Sequence, residues 1–208
     1  MLKMSNIDRL ITFDLHANQI AGFLPNNIQF DHIQMSAFWS YHLTKLFGDM
    51  SKWCFCAPDS GAIKRTNGLA SMCKSYDMCF INKVRNLNGD IDHMNVVGNV
   101  KDKNVILPDD MIDSGSTMEN AGDILMNEGA NDVKILATHG IFSHPAYKVL
   151  TNYETLVTNT CNILNIDNNG IKKPNNITVI DIRNFLIEIL HRIDNNMMMG
   201  SIIKNWGE

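Results

Sequence analysis

The sequence predicts an α/β fold, a mainly parallel sheet flanked by helices. Short apolar runs alternate with segments whose apolar residues recur at helical spacing. Residues 104–140 read as strand, loop, helix and strand without interruption, the crossover unit that joins parallel strands. A chain of 208 residues, with 45% hydrophobic and 19% charged side chains, is long enough and apolar enough for a packed core, which excludes disorder.

The elements follow in order. RLITF (9–13) is a buried strand ending at Asp14-Leu15-His16. Residues 36–47 carry Phe38, Leu43, Leu46 and Phe47 at helical spacing, and Gly48 stops them. WCFCA (53–57) is a strand that ends in Pro58-Asp59-Ser60-Gly61. A short helix covers 67–74, and MCFINK (78–83) is a third strand. Residues 84–92, polar and without an apolar period, read as an exposed loop before a short strand at 94–98. NVILP (104–108) is a strand, 109–117 a loop, 118–130 a helix with Ala121, Ile124 and Leu125 inward and Gly129 at its end, and 132–140 the next strand. ETLVT (154–158) and ITVID (177–181) are strands. Residues 183–193 form a helix with Phe185, Leu186, Ile189, Leu190 and Ile193 on one face.

Several functions are excluded or disfavoured at once. Eighteen basic against 22 acidic residues give a net charge of −4, so the chain is no general coat for nucleic acid. No apolar run approaches the roughly 20 residues of a membrane helix, and the first residues lack the apolar block of a signal peptide. A cytoplasmic protein is expected. The five cysteines form no Cys-x-x-Cys pair, and buried thiols in a reducing compartment are the better expectation than a zinc site.

Chemistry concentrates in Asp109-Asp110-Met111-Ile112-Asp113-Ser114-Gly115-Ser116-Thr117, between a strand and a helix start. Adjacent carboxylates are followed by small residues, hydroxyls and the free N–H groups of a helix N-terminus. A phosphorylated sugar suits this set, with its phosphate on the N–H groups and its hydroxyls on the acids. The loop is not a P-loop, because GxxxxGK[ST] is absent.

The pattern resembles the sugar-phosphate loop of the type I phosphoribosyltransferase fold. Together with TFDLHANQIAGF, APDSGAIKR, INKVR, VVGNVKDKNVILPDDMIDSGST, ATHGIFSHPA, LVTNT and VIDI in this order, it resembles the ribose-phosphate pyrophosphokinase family over about residues 5–203. The resemblance implies transfer of diphosphate from MgATP to ribose 5-phosphate, releasing AMP. It implies that Asp109, Asp110, Asp113, Ser114, Gly115, Ser116 and Thr117 hold ribose 5-phosphate, and that Lys83 and Arg85 stabilise charge on the transferring phosphates. Asp59 would approach the diphosphate and Mg²⁺. Asp14, His16 and Asp31 would serve ATP and Mg²⁺, His16 preferably through an ATP phosphate because hard Mg²⁺ prefers oxygen. The loop 84–92 would close over the site.

Departures from the family pattern are Ser116 and Ala62 where glycines are usual, Asn27 for an acid, His144 for a glycine, and Pro108 just before the acids. The larger departure is the absence of the family's N-terminal half, which serves ATP and assembly. Residues 1–208 are therefore expected to form the phosphoribosyltransferase-like half alone, acting as a homo-oligomer or beside a partner synthetase subunit. Three functions stay open: a diphosphokinase, a non-catalytic sugar-phosphate-binding regulator of a synthetase, and a base phosphoribosyltransferase.

Overall fold

The computed structural model describes residues 6–85, 91–200, 202 and 206. Its centre is a seven-stranded sheet of β3 (Cys54–Ala57), β4 (Met78–Arg85), β5 (Ile91–Val97), β6 (Asn104–Ile112), β7 (Asp132–Gly140), β8 (Glu154–Thr158) and β9 (Ile177–Ile180). The spatial order is β5-β4-β3-β6-β7-β8-β9. All neighbours are parallel except β4 and β5, which pair antiparallel. A separate two-stranded parallel sheet joins β1 (Arg9–Phe13) to β2 (Gln29–Ile33).

Alternation along each strand sends side chains to two helical layers. Val105, Leu107, Val133 and Ile135 share a core with Met118, Ala121 and Leu125 of α3 (Ser116–Asn127) and with Tyr147 of the short α4 (Ala146–Val149). Ile106 and Leu136 share the other with Phe38, Trp39 and Leu43 of α1 (Ser36–Phe47), Leu69 and Ala70 of α2 (Ile63–Met72), and Phe185 and Ile189 of α5 (Arg183–Asp194). The expected α/β class and the alternation of elements are thus present.

Five details differ from expectation. β1 stands outside the main sheet, half-buried, and pairs with β2, a strand that QFDHI does not announce because polar side chains interrupt it. β6 continues through Asp109 and Asp110 to Ile112, because its pairing with β7 runs on to Ile112↔Gly140. The polar segment after Lys83 is flanked by backbone pairing rather than left as loop: β4 extends to Arg85, and β5 starts at Ile91. Residues 86–90, the middle of the expected closing loop, lie outside the described residues. Helix α2 begins at Ile63, four residues earlier than its apolar spacing suggests, behind a turn capped by Asp59.

Packing also departs locally. Leu46 and Leu190, both expected inward, are about half exposed, at 48% and 49%. Cys54, Cys56, Cys73 and Cys79 are buried, as thiols should be in a core, whereas Cys161 is only half-buried. Burial pushes the Cys73 thiol up to about 11, which leaves it protonated and inert near neutral pH.

Candidate functional site

The chain places β3 and β6 side by side but leaves them in opposite directions, β3 toward β4 and β6 toward β7. In a parallel sheet such a switch point opens a crevice at the carboxyl ends of the strands. Asp59 follows β3 and Asp109-Asp110 lie near the end of β6, so the sequence delivers acids to both walls. A cavity of about 270 Å³ lies here, lined by His16, Asp59, Lys83, Asp109, Asp110, Asp113, Ser114, Gly115 and Thr117, among others.

The floor of this cavity is a helix start. Gly115 is the N-cap of α3 at φ 81°, a left-handed conformation that glycine adopts without penalty. A Cβ there would lie 2.8 Å from Leu150 Cγ, so the position excludes a side chain for two reasons. The first bonds back to the Gly115 carbonyl come from the amides of Met118 and Glu119. Among the described residues the amides of 114–117 have no bonded partner, which is the arrangement that receives an anion. Ser116 opens α3 and is exposed, but it does not line the cavity.

The walls are acidic and ordered. Asp59 caps the turn at Ser60–Ala62 by accepting from the Ala62 amide at 3.1 Å, and its other oxygen lies 3.9 Å from Lys83 Nζ. Asp110 is nearly sealed and Asp109 half-buried. Burial pushes the Asp109 carboxyl up to about 6, opposed by Arg65 and reinforced by Asp110 and Asp59. His16 is exposed, and its Nδ1 lies 3.1 Å from Asp110 Oδ2.

Asp14 and Asp31, expected beside a metal, sit elsewhere. Asp14 accepts from the Thr138 hydroxyl at 2.6 Å and from the Met35 amide at 3.1 Å, so both oxygens bind the scaffold. Burial holds its carboxyl above the usual range despite these bonds. Asp31 lies 3.1 Å from Arg9 Nε on the small sheet. The side chain of Arg85 lies outside the described residues.

One site residue escaped the sequence reading. Arg65, in the first turn of α2, gives Nη1 to Asp110 at 2.7 Å and Nη2 to Asp109 at 2.5 Å. Arg65 closes the segment APDSGAIKR, but the sequence assigns it no role there, because a basic residue three places into a helix points to no ligand by itself. Its position six residues after Asp59, on the helix that follows the other acid-bearing strand, was the available signal.

The family model for the phosphoribosyl synthetase-associated domain matches residues 78–204, more than half of the chain. The chain belongs to this family. It is 35% identical over 165 residues to a curated ribose-phosphate pyrophosphokinase of Mycobacterium leprae (strain TN), covering 77% of this chain and 50% of that protein. It is similar to the crystal structure of phosphoribosylpyrophosphate synthetase from Mycobacterium smegmatis, with a TM-score of 0.79 and 33% identity over 93% of this chain and 61% of that one. The chain therefore spans about half to three-fifths of the length of these relatives. An adenine phosphoribosyltransferase structure, at TM-score 0.50 and 16% identity, shares the fold.

Proposed function

We propose that the chain is the phosphoribosyltransferase-like half of a ribose-phosphate diphosphokinase, and that its cavity holds ribose 5-phosphate. The observation that carries this reading is the joining of an open helix start, Gly115–Thr117, to the adjacent carboxylates Asp109 and Asp110 in one cavity. The amides at 114–117 and the hydroxyls of Ser114 and Thr117 would take the 5-phosphate. The acids would accept from the sugar hydroxyls and so fix the ring. The C1 hydroxyl oxygen would then bond to the β-phosphorus of ATP as the α–β bridge breaks, with AMP leaving and the hydroxyl proton passing to solvent or base. Lys83, and Arg85 by its place on the same strand, would offset the charge that builds on the phosphates.

The residues fit Mg²⁺ as an ion delivered with phosphates. Among the described residues no three His, Cys, Asp or Glu side chains converge on a metal-sized site. A cavity with separate carboxylates suits Mg²⁺, which takes one or two of them and completes its shell with waters and substrate phosphates. Asp59 is the natural first ligand, and His16 would reach a phosphate. When bound, Mg²⁺ supplies charge neutralisation on the transferring group.

A second reading has its own support. At about 270 Å³ the cavity suits a sugar phosphate better than a whole nucleotide, and the chain spans only part of its relatives' length. In that reading the chain binds sugar phosphate without catalysis and associates with a synthetase, as a partner subunit or homo-oligomer. Five unpaired thiols agree with a cytoplasmic setting for either reading.

The deciding experiment incubates the pure chain with MgATP and ribose 5-phosphate and follows AMP and phosphoribosyl diphosphate. Formation of both supports the enzyme. Ribose 5-phosphate binding without product supports the second reading, and absence of binding removes both.

A further inference from the structure

Arg65 stands where helix physics disfavours a cation. The first turn of α2 is the positive end of its dipole, and that turn holds no acidic residue to compensate. What holds the guanidinium is the acid pair. Asp110 shares strand parity with Ile106, whose side chain packs on the α2 side of the sheet, while Asp109 has the opposite parity. The group reaches both beyond the paired part of β3: the β3–β6 pairing ends at Phe55↔Ile106, and β6 runs on past the end of β3 at Ala57. The two arms of the guanidinium thus touch carboxylates that a regular strand would separate.

The consequence is a division of oxygens. Asp109 Oδ1 takes Arg65 Nη2 and the Asp110 amide, the latter at 2.9 Å. Asp110 Oδ2 takes Arg65 Nη1 and faces His16 Nδ1. Among the described residues the hydrogen bonds of the pair fall on Asp109 Oδ1 and Asp110 Oδ2, which leaves Asp109 Oδ2 and Asp110 Oδ1 without a partner, and both residues line the cavity. A planar fork sets the spacing of the two inner oxygens and so orients the outer ones. It also leaves the pair one negative charge instead of two, which lowers its demand for a second cation. Two acceptor-only oxygens, held in fixed relation, match two hydroxyl donors on neighbouring carbons.

We infer that Arg65 is a positioning residue that makes the Asp109–Asp110 pair selective for a vicinal diol. The inference rests on the sugar-phosphate reading above and deepens it. A lysine at this position supplies one point charge, cannot serve two carboxylates in a plane, and does not restore the selectivity.

The test is calorimetric titration of the full chain with ribose 5-phosphate, 2-deoxyribose 5-phosphate and inorganic phosphate, for the wild type, Arg65→Lys and Arg65→Ala. The wild type should prefer the ribose compound by about 10- to 100-fold, the range of one hydrogen bond to a charged group. Both variants should lose that preference to within about threefold, with inorganic phosphate affinity unchanged, because the phosphate cradle is built by other residues. Full preference retained in either variant overturns the inference. So does equal loss for all three ligands, which would make Arg65 a general fold residue. The wild-type arm needs no variant to fold: binding of both sugars alike overturns the inference alone, whereas no binding of ribose 5-phosphate removes the sugar-phosphate reading and this inference with it.

Discussion

Asp14 follows β1 and Asp110 lies near the end of β6, and their carboxylates do opposite work. Asp14 gives one oxygen to the Thr138 hydroxyl and the other to the Met35 amide. Thr138 in turn takes the Trp39 indole N–H at 3.1 Å, and His139 reaches the Phe13 carbonyl at 2.8 Å. These bonds tie the small β1–β2 sheet to β7 and α1. Asp110 instead has one oxygen on Arg65 and beside His16, and the other, on the cavity wall, without a partner among the described residues. A carboxylate whose lone pairs are filled by its own fold is a fastener. One with half of them open, on a cavity wall, can receive a ligand.

Removing Asp14 should produce the largest effect on stability. Asp14→Ala leaves the Thr138 hydroxyl and Met35 amide without their acceptor and should cost about 2–4 kcal/mol in urea unfolding. Asp14→Asn keeps the side-chain size and an acceptor for the Met35 amide, can donate its own N–H to Thr138 Oγ1 in place of the bond it accepted, and removes a charge that burial opposes. It should stay within about 1 kcal/mol of the wild type. Equal losses for the two variants would break the contrast.

Gly115→Ala comes next. A left-handed φ costs an alanine about 1–2 kcal/mol, and the contact with Leu150 adds to it. Destabilisation of about 1–3 kcal/mol is expected, with loss of sugar-phosphate binding because the helix start shifts. A variant that binds as the wild type does would show that the cradle lies elsewhere.

The pH dependence is smaller, and its sign is fixed. Burial raises the Asp109 carboxyl to about 6 in the fold, against about 4 in an unfolded chain. Between these values the native state holds more protons than the unfolded one, so this group's contribution to stability is full below about pH 4 and falls as pH rises to about 6. Comparing unfolding midpoints of the wild type and Asp109→Asn across that window should show the wild type losing stability relative to the variant. A flat difference would contradict the environment assigned to Asp109.

The least effect is expected from Lys134→Met. Lys134 lies 2.8 Å from both Asp132 and Glu154, a surface network far from the cavity. Its loss should cost less than about 1 kcal/mol and leave ligand binding unchanged.

Much of this was legible in the sequence. Regular periodicity gave α1 at 36–47 and β7 at 132–140, where burial follows local pattern. The acid-rich loop stood out because carboxylates, a glycine and hydroxyls are adjacent along the chain. What was not legible depends on contacts between distant positions. Arg65 meets Asp109 44 residues away, and its own segment, APDSGAIKR, does not show that meeting. β2 exists through pairing with β1, not through its own apolar pattern. Asp14 read as a ligand by its neighbours in sequence, yet its partners Met35 and Thr138 come from other elements. Leu190 had the right spacing on α5 for burial, but the helix presents it at the edge of the contact face.

In the proposed site the Asp109–Asp110 pair receives the ligand and Asp14 does not. Titration of ribose 5-phosphate into Asp110→Asn and Asp14→Asn, both checked for folding, tests it directly. The expected result is affinity reduced by about tenfold or more in Asp110→Asn and close to the wild type in Asp14→Asn. Unchanged affinity in Asp110→Asn, or an equal fall in both variants, would contradict it.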